Sequence, residues 1–382
     1  MREVTQRVMS DLTDADRARY ARHLVLPQVG PEGQTKLKAA RVFCVGAGGL
    51  GSPALFYLAA AGVGHITIID DDVIERSNLQ RQILHRDDNI GTSKASSAKE
   101  RMLNLNPSID VTVHHERLTS ENALDYIKGH DIVLDGTDNI PTRYLVNDAC
   151  EILGIPWVYG SIYRFEGQVS VFNLNGGPTY RDLFPVPPPP EAVPSCEDGG
   201  VLGVLPGVIG SIQATEVAKI LIGIGKPLRG RLLVYDALEM TSRILTFEAN
   251  ENRDEVTELI DYEGFCGIKK MDAPFSGISP TDYVSRKAKG WDPLFLDVRN
   301  EIEASIVSLP DTDALIPHDE ILMRAADLPK DRDILFYCRS GLRSAMAAYA
   351  LTQFGFEANR MFNLEGGVHA WHEEVDSAIP KY

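Results

Sequence analysis

Two short segments of this 382-residue chain hold residues whose types and spacing can do chemistry. The first is Gly46-Ala47-Gly48-Gly49-Leu50-Gly51, a G-x-G-x-x-G run between the apolar stretch Arg41 to Val45 and the apolar helical stretch Ala54 to Gly62. In a strand–turn–helix setting, backbone N–H groups and the helix N-terminus meet phosphate. Asp70 follows the β-branched run His65 to Ile69, about where a ribose-binding acid is expected. Glycines and acid alone say nucleotide, and favour a nicotinamide or flavin dinucleotide. The second segment is Cys338-Arg339-Ser340-Gly341-Leu342-Arg343, which follows the apolar run Ile334 to Tyr337 and opens a helix. Successive N–H groups in such a loop form an anion-binding nest. The helix N-terminus, with Arg339 and Arg343, is expected to stabilise a thiolate or persulfide on Cys338.

The residues after the glycine turn shift the first reading. Ser77-Asn78-Leu79-Gln80-Arg81-Gln82 is a polar block, Lys94 opens the helical stretch to Leu105, and Asp135-Gly136-Thr137-Asp138-Asn139 ends the buried run Asp131 to Leu134. Hydride transfer has no need of Arg81, Lys94 and Asp138 in one pocket. Cleavage of the α–β phosphate bond of ATP does, because its transition state spreads negative charge that fixed cations and Mg²⁺ stabilise. Among the other cysteines, Cys44 lies in a strand and Cys150 in an apolar helix, and both read as inert core. Cys196, in Pro194-Ser195-Cys196-Glu197-Asp198, sits on a polar loop and is a candidate nucleophile, although its acidic neighbours raise a thiol pKa.

The elements that must position these residues alternate as βαβα from Lys38 onward, which implies a mostly parallel sheet covered by helices. Pro178 to Pro194 breaks the pattern and reads as an extended, partly mobile loop. Helical patterning resumes over Gly207 to Ile222, and Arg231 to Tyr235 reads as a strand. The acidic, then Gly/Ser/Pro-rich stretch from Glu248 to Pro280 places a domain boundary near Phe275. The expected organisation is a Rossmann-like α/β unit with a mixed sheet over residues 1–262, a linker over 263–278, and a smaller α/β unit over 279–382 with strands Leu294 to Val298 and Ile334 to Tyr337. The net charge of −16 argues against a nucleic-acid partner. No run approaches a membrane span and no secretory signal is evident, so a cytoplasmic location is expected.

The stretch from Arg19 to about Asp261 closely resembles the ubiquitin-activating-like adenylyltransferases that serve molybdopterin and thiamin synthesis. The resemblance rests on VGAGGLGSP, AAAGVG, SNLQRQ, TDN, RFEGQVSVF and GVIGSIQA. It implies ATP-dependent adenylation of the C-terminal Gly-Gly of a small ubiquitin-like sulfur carrier. By motif it implies that Gly46, Gly48, Gly49, Asp70 and Asn139 meet the nucleotide, that Asn78, Arg81 and Lys94 contact phosphates, and that Asp138 holds Mg²⁺. Arg22, in RYARH, resembles an arginine that reaches into a partner subunit's site, which implies a homodimer. Cys196 resembles a cysteine that attacks the acyl-adenylate or joins a disulfide relay. Relatives often carry two C-x-x-C pairs that bind zinc. Here Thr179-Tyr180-Arg181-Asp182 replaces the first, and only Cys266 remains near the second, so no zinc is expected.

The C-terminal stretch resembles a rhodanese domain, on Leu296-Asp297-Val298-Arg299, the Cys338 loop, and Leu364-Glu365-Gly366-Gly367-Val368-His369-Ala370-Trp371. The usual glycine-histidine-isoleucine-proline-glycine motif is replaced around Val307 to Pro317. The resemblance implies sulfur transfer through a Cys338 persulfide, fed by thiosulfate or a cysteine desulfurase. Two rivals stand beside this reading: a nicotinamide- or flavin-dependent oxidoreductase, and a binding scaffold whose sites have lost activity.

Overall fold

The computed structural model describes residues 12–188, 200–266 and 274–381. The chain divides into two compact units near residue 270. The first unit holds an eight-stranded sheet in the order β3-β2-β1-β4-β5-β6-β7-β8. Its strands are β1 (Arg41–Val45), β2 (His65–Ile69), β3 (Asp110–His114), β4 (Ile132–Asp135), β5 (Trp157–Tyr163), β6 (Glu166–Phe172), β7 (Arg231–Asp236) and β8 (Thr241–Thr246). Strands β1 to β5 are parallel, and β6 to β8 continue the sheet antiparallel, so the sheet is mixed. Because β1 lies between β2 and β4, the chain order reverses there, and a crevice opens at the carboxyl ends of β1 and β4. Ligands of open α/β sheets bind at such a point.

Parallel strands covered on both faces must be apolar throughout. Val42, Phe43 and Cys44 of β1 and Val133 and Leu134 of β4 are fully buried. One face packs on the helices Gly51–Ala61 and Leu205–Ile222. The other packs on Ile140–Leu153. The helix Leu205–Ile222 is long and apolar enough to cross a membrane by length and composition alone. Here Leu205, Ile209, Val217 and Ile222 lie in the sheet's own core. The helix Gly51–Ala61 starts three residues earlier than its apolar pattern and ends on Gly62 in the left-handed region (φ 82°).

The segment after Pro178 departs from expectation. Tyr180–Leu183 is a short helix, not an extended loop. Thr179 and Asp182 form a reciprocal capping box, which outweighs the helix-breaking prolines downstream. The expected linker also carries structure at both ends. Tyr262–Phe265 is a short helix of the first unit, and Ser276–Ile278 is a strand of the second.

The second unit holds a five-stranded parallel sheet in the order β11-β10-β12-β13-β9. Its strands are β9 (Ser276–Ile278), β10 (Leu294–Asp297), β11 (Ala314–Leu315), β12 (Ile334–Tyr337) and β13 (Met361–Leu364). All of Ile334 to Tyr337 in the central strand β12 is buried, and Cys338 follows directly.

Candidate active site

The turn after β1 is forced by contact as much as by φ. Gly46 has φ +92°, and a Cβ there would lie 2.9 Å from the Gly136 carbonyl oxygen. A Cβ on Gly136 would lie 2.6 Å from the Gly46 carbonyl oxygen. The turns after β1 and β4 therefore touch backbone to backbone, and only glycine fits at either. Together they floor a cleft of about 380 Å³, in the size range of small-ligand sites. Gly46, Gly48, Gly49, Asp70, Arg81, Lys94, Asp138 and Asn139 all line it.

Within the cleft, the Ala47 N–H donates to Asp70 Oδ2 at 2.7 Å and the Asp72 N–H to Oδ1 at 2.9 Å. Asp70 thus ties the glycine turn to the end of β2. Burial pushes its carboxyl up, against the pull of the Ala47 N–H and Lys94. Lys94 Nζ, nearly buried, donates to the exposed Asp72 carboxylate at 2.7 Å. Arg81 Nη1 holds the Ser77 carbonyl at 3.1 Å. Asp138 is exposed. Asn139 Oδ1 accepts from the Thr142 N–H at 3.0 Å and caps the helix Ile140–Leu153.

Two expected residues stand outside the cleft. Asn78 is buried, and its Oδ1 accepts from the Glu75 N–H at 3.2 Å, closing the capping box of a short 3₁₀ turn. Its side chain orders the polar block instead of facing the cavity. Arg22 is exposed on a short N-terminal helix and is not among the lining residues of its own chain. Cys196 lies outside the described residues. Cys44 and Cys150 are fully buried, and burial pushes both thiols up, which suits inert core positions.

Sequence reasoning missed Arg143 and Arg117, which also line the cleft. Arg143 is buried; its Nη2 donates to the carbonyls of Thr137 (3.1 Å) and Gly160 (3.2 Å), and its Nε lies 3.5 Å from Asp135 Oδ2. A basic residue one turn into the helix after Thr137-Asp138-Asn139 was the available signal. Arg117 follows β3 with no local motif to mark it.

In the second unit, Cys338 is fully buried, and its Sγ accepts from the Gly341 N–H at 3.1 Å and the Ser344 hydroxyl at 3.4 Å. These donors suit a sulfur that carries negative charge. Gly341 takes the left-handed conformation (φ 91°) at the helix start, and Asn363 Nδ2 holds its carbonyl at 3.1 Å. The Val368 and His369 N–H groups donate to the Cys338 and Arg339 carbonyls. A Cβ on Gly367 would lie 2.1 Å from the Cys338 carbonyl oxygen, so the Gly366-Gly367 turn braces the cysteine loop.

The arginines divide their work differently from expectation. Arg343 forms a buried two-pronged pair with Glu303, at 2.8 and 2.7 Å. Burial raises the Glu303 carboxyl and Arg343 lowers it; the net direction is down. Arg343 therefore anchors the helix Leu342–Gln353 to the helix Glu301–Ile306, and its charge is countered before it reaches sulfur. Arg339 Nε donates to His369 Nε2 at 3.1 Å. Arg299, fully buried, pairs with Asp297 and holds the Val307 carbonyl, fixing the loop after β10.

These features define an open α/β unit with a polar cleft at its switch point, followed by a smaller α/β unit that holds a cysteine among N–H and O–H donors. Residues 20–257 match the ThiF family, and residues 280–374 match the rhodanese-like domain. The chain is 47% identical to the probable adenylyltransferase/sulfurtransferase MoeZ of Mycobacterium tuberculosis, covering 98% of this chain and 97% of that protein. It is 42% identical to the adenylyltransferase and sulfurtransferase MOCS3 of Drosophila yakuba, covering 98% and 87%. Among solved structures, E. coli MccB with AMPCPP and MccA has a TM-score of 0.56 at 22% identity, covering 63% of this chain and 74% of that one. E. coli MccB with ATP has a TM-score of 0.53 at 21% identity, covering 59% and 68%. These structures share the fold of the first unit. The chain belongs to the ThiF family, in the form that carries a C-terminal rhodanese-like domain. That membership decides against the oxidoreductase suggested by the glycine motif alone.

Proposed function

We propose that this chain uses MgATP to adenylate the C-terminal glycine of a ubiquitin-like sulfur carrier, and then replaces the activated oxygen with sulfur from a Cys338 persulfide. The observation that carries the reading is the cleft after β1 and β4. It gathers a glycine turn, Arg81, Lys94 and Asp138, while the same chain holds Cys338 in a ring of N–H and O–H donors.

The carrier's terminal carboxylate attacks the α-phosphorus, the α–β bond breaks, and pyrophosphate leaves. The chain contributes position and charge: the turn's N–H groups from Gly48 onward meet the phosphates, and Arg81 and Lys94 take up the developing charge. Asp138 is exposed and lines the cleft, where its charge acts on the buried Arg143. One hard carboxylate, completed by phosphate oxygens and water, suits Mg²⁺, which would supply further charge neutralisation. Arg22 of a second subunit completes the site in a homodimer. The Cys338 thiolate takes the outer sulfur of thiosulfate and releases sulfite, or receives sulfur from a desulfurase. The terminal sulfur of the persulfide then attacks the acyl carbonyl and AMP leaves. The resulting acyl disulfide is opened by the Cys196 thiolate attacking Cys338 Sγ. This frees the carrier thiocarboxylate and leaves a disulfide for cellular thiols to reduce, in keeping with a cytoplasmic setting.

Intact mass of Gly-Gly-terminated carriers, incubated with the protein, MgATP and thiosulfate, tests the reading. A gain matching one oxygen replaced by sulfur supports it. Cys338→Ala is expected to abolish that gain and leave carrier-dependent ATP–pyrophosphate exchange within about twofold of the parent. Loss of exchange as well would overturn the division of labour between the units.

A further inference from the structure

Ala47 sits between Gly46 and Gly48 of the turn, and both of its peptide groups are held. Its N–H is bound by Asp70, and its carbonyl accepts from His85 Nε2 at 2.9 Å. The other ring nitrogen, Nδ1, lies 3.1 Å from the Ser97 hydroxyl. A carbonyl can only accept, so Nε2 carries the proton and Nδ1 accepts from Ser97. His85 and Ser97 are both buried, and nothing in the reaction derived above uses either. Ser97 lies three residues beyond Lys94 on the helix Lys94–Leu105, which puts the two on neighbouring positions of one face. One imidazole thus joins the glycine turn to the helix whose first residue is the phosphate-facing lysine.

The bond has an electrostatic consequence. A turn that receives phosphate must present N–H groups and turn its carbonyls away, because an oxygen dipole aimed at a polyanion repels it. Of the carbonyls in the turn, that of Ala47 is the one His85 draws into the protein interior. The neutral ring suits this role, since a second proton would occupy Nδ1, reverse the bond with Ser97 and place a cation beside Lys94.

We infer that His85 is a positioning residue for ATP: through Ala47 and Ser97 it fixes the glycine turn and Lys94 in one register for the triphosphate. The inference rests on the proposed use of ATP at this cleft. It assigns His85 no contact with substrate.

Two polar variants separate the bonds. In His85→Gln the side-chain amide N–H reaches about as far as Nε2 and can still hold the Ala47 carbonyl. In His85→Asn it reaches only as far as Nδ1, so it serves Ser97 and leaves Ala47 free. Calorimetric titration of MgATP into the full-length protein gives Kd, and carrier-dependent ATP–pyrophosphate exchange gives KM for ATP and for the carrier. His85→Asn is expected to weaken ATP about tenfold in both Kd and KM, with kcat and the carrier KM within about twofold, as loss of one buried hydrogen bond predicts. His85→Gln is expected to stay within about threefold of the parent. Equal ATP affinity in the parent and His85→Asn would overturn the inference and leave the ATP reading standing. Parallel losses in both variants, tracking a common fall in Tm, would reduce His85 to a structural residue. If the parent itself failed to bind MgATP, both the inference and the reading beneath it would fall.

Discussion

Burial holds His85 and His130 neutral, with both pKa values lowered to about 4. His130 bridges the Ile127 carbonyl and the Thr67 hydroxyl, and burial outweighs the Ile127 carbonyl's pull toward the charged ring. In the unfolded chain each ring takes its proton near pH 6.5, well before the folded protein does. Stability from these rings is therefore complete above about pH 6.5 and is lost as pH falls toward about 4. Lowered from 6.5 to about 4, each ring contributes on the order of 3 kcal/mol. Asp16, lowered to about 2 by Lys38, adds a loss only in stronger acid. The buried Asp70 and Asp135, whose carboxyls are raised, act in the opposite direction at low pH. Urea unfolding of the first unit, followed by Trp157 fluorescence, should lose midpoint steadily between about pH 6.5 and 4.5, and His130→Asn should flatten that slope. A slope identical in the variant would dismiss the linkage. In the second unit, Glu303 holds Arg343 of the helix that follows the Cys338 loop. Replacement of Glu303 by Gln removes the carboxylate that faces the buried Arg343 guanidinium and breaks the two-pronged ion pair, and should cost the second unit about 3 kcal/mol. Trp291 and Trp371, both in that unit, report the transition.

Elements of the first unit are fastened by charge and aromatic faces around the helix Tyr180–Leu183. Arg181, on the helix Tyr180–Leu183, grips both Asp148 oxygens at 2.8 and 2.7 Å, and its guanidinium lies over the rings of Phe265 (4.9 Å) and Tyr144 (5.1 Å). The Tyr262 hydroxyl donates to Asp148, while Asp182 takes the Asn250 N–H and Arg253. Three segments distant in sequence thus converge on the helix Ile140–Leu153. Arg181→Ala strands a buried Asp148 and should destabilise the first unit by about 3 kcal/mol. Trp157, whose ring centroid lies 5.9 Å from that of Tyr180, reports the change; an unchanged urea midpoint would rule the clasp out as a stabilising feature. This cluster also marks the limit of what sequence reveals about the elements. The β1–turn–helix unit was legible because its glycines, apolar runs and Asp70 are consecutive. The helix Tyr180–Leu183 was not, because the prolines that follow it are a stronger local signal than one capping box. Arg143 and Arg117 were hidden for a related reason: strand order brings them to the cleft, and spacing does not. Asn78 illustrates the opposite case, a motif residue whose side chain the fold uses for its own turn.

On the proposed reading the first unit must admit a protein substrate as well as a nucleotide, and its apolar surface is unevenly spread. β5 contributes Ile162 to the cleft wall and then turns at Phe165, whose carbonyl accepts from the Ala237 N–H. The Leu202 N–H donates to the Arg164 carbonyl beside it. Phe165, Leu202, Val204, Leu238 and Met240 are all exposed around this one hairpin end, with Met240 at 74%. The neighbouring edge strand β8 is exposed along its whole length, including Ile244 and Leu245. Contiguous apolar surface with a site at its margin marks a place where a macromolecule rests, and β5 leads from this surface directly to the cleft. On the proposed reading, the body of the carrier rests here while its flexible tail follows β5 inward. Leu238→Ser combined with Met240→Ser should raise the carrier KM in ATP–pyrophosphate exchange about tenfold or more, as loss of central apolar anchors does at protein interfaces, with the ATP KM unchanged. Both side chains already face solvent, so the fold should tolerate the change and Tm should move by no more than a few degrees. A carrier KM that stayed put would move the docking surface elsewhere on the first unit, whereas a rise in the ATP KM would mean that the hairpin shapes the nucleotide cleft itself.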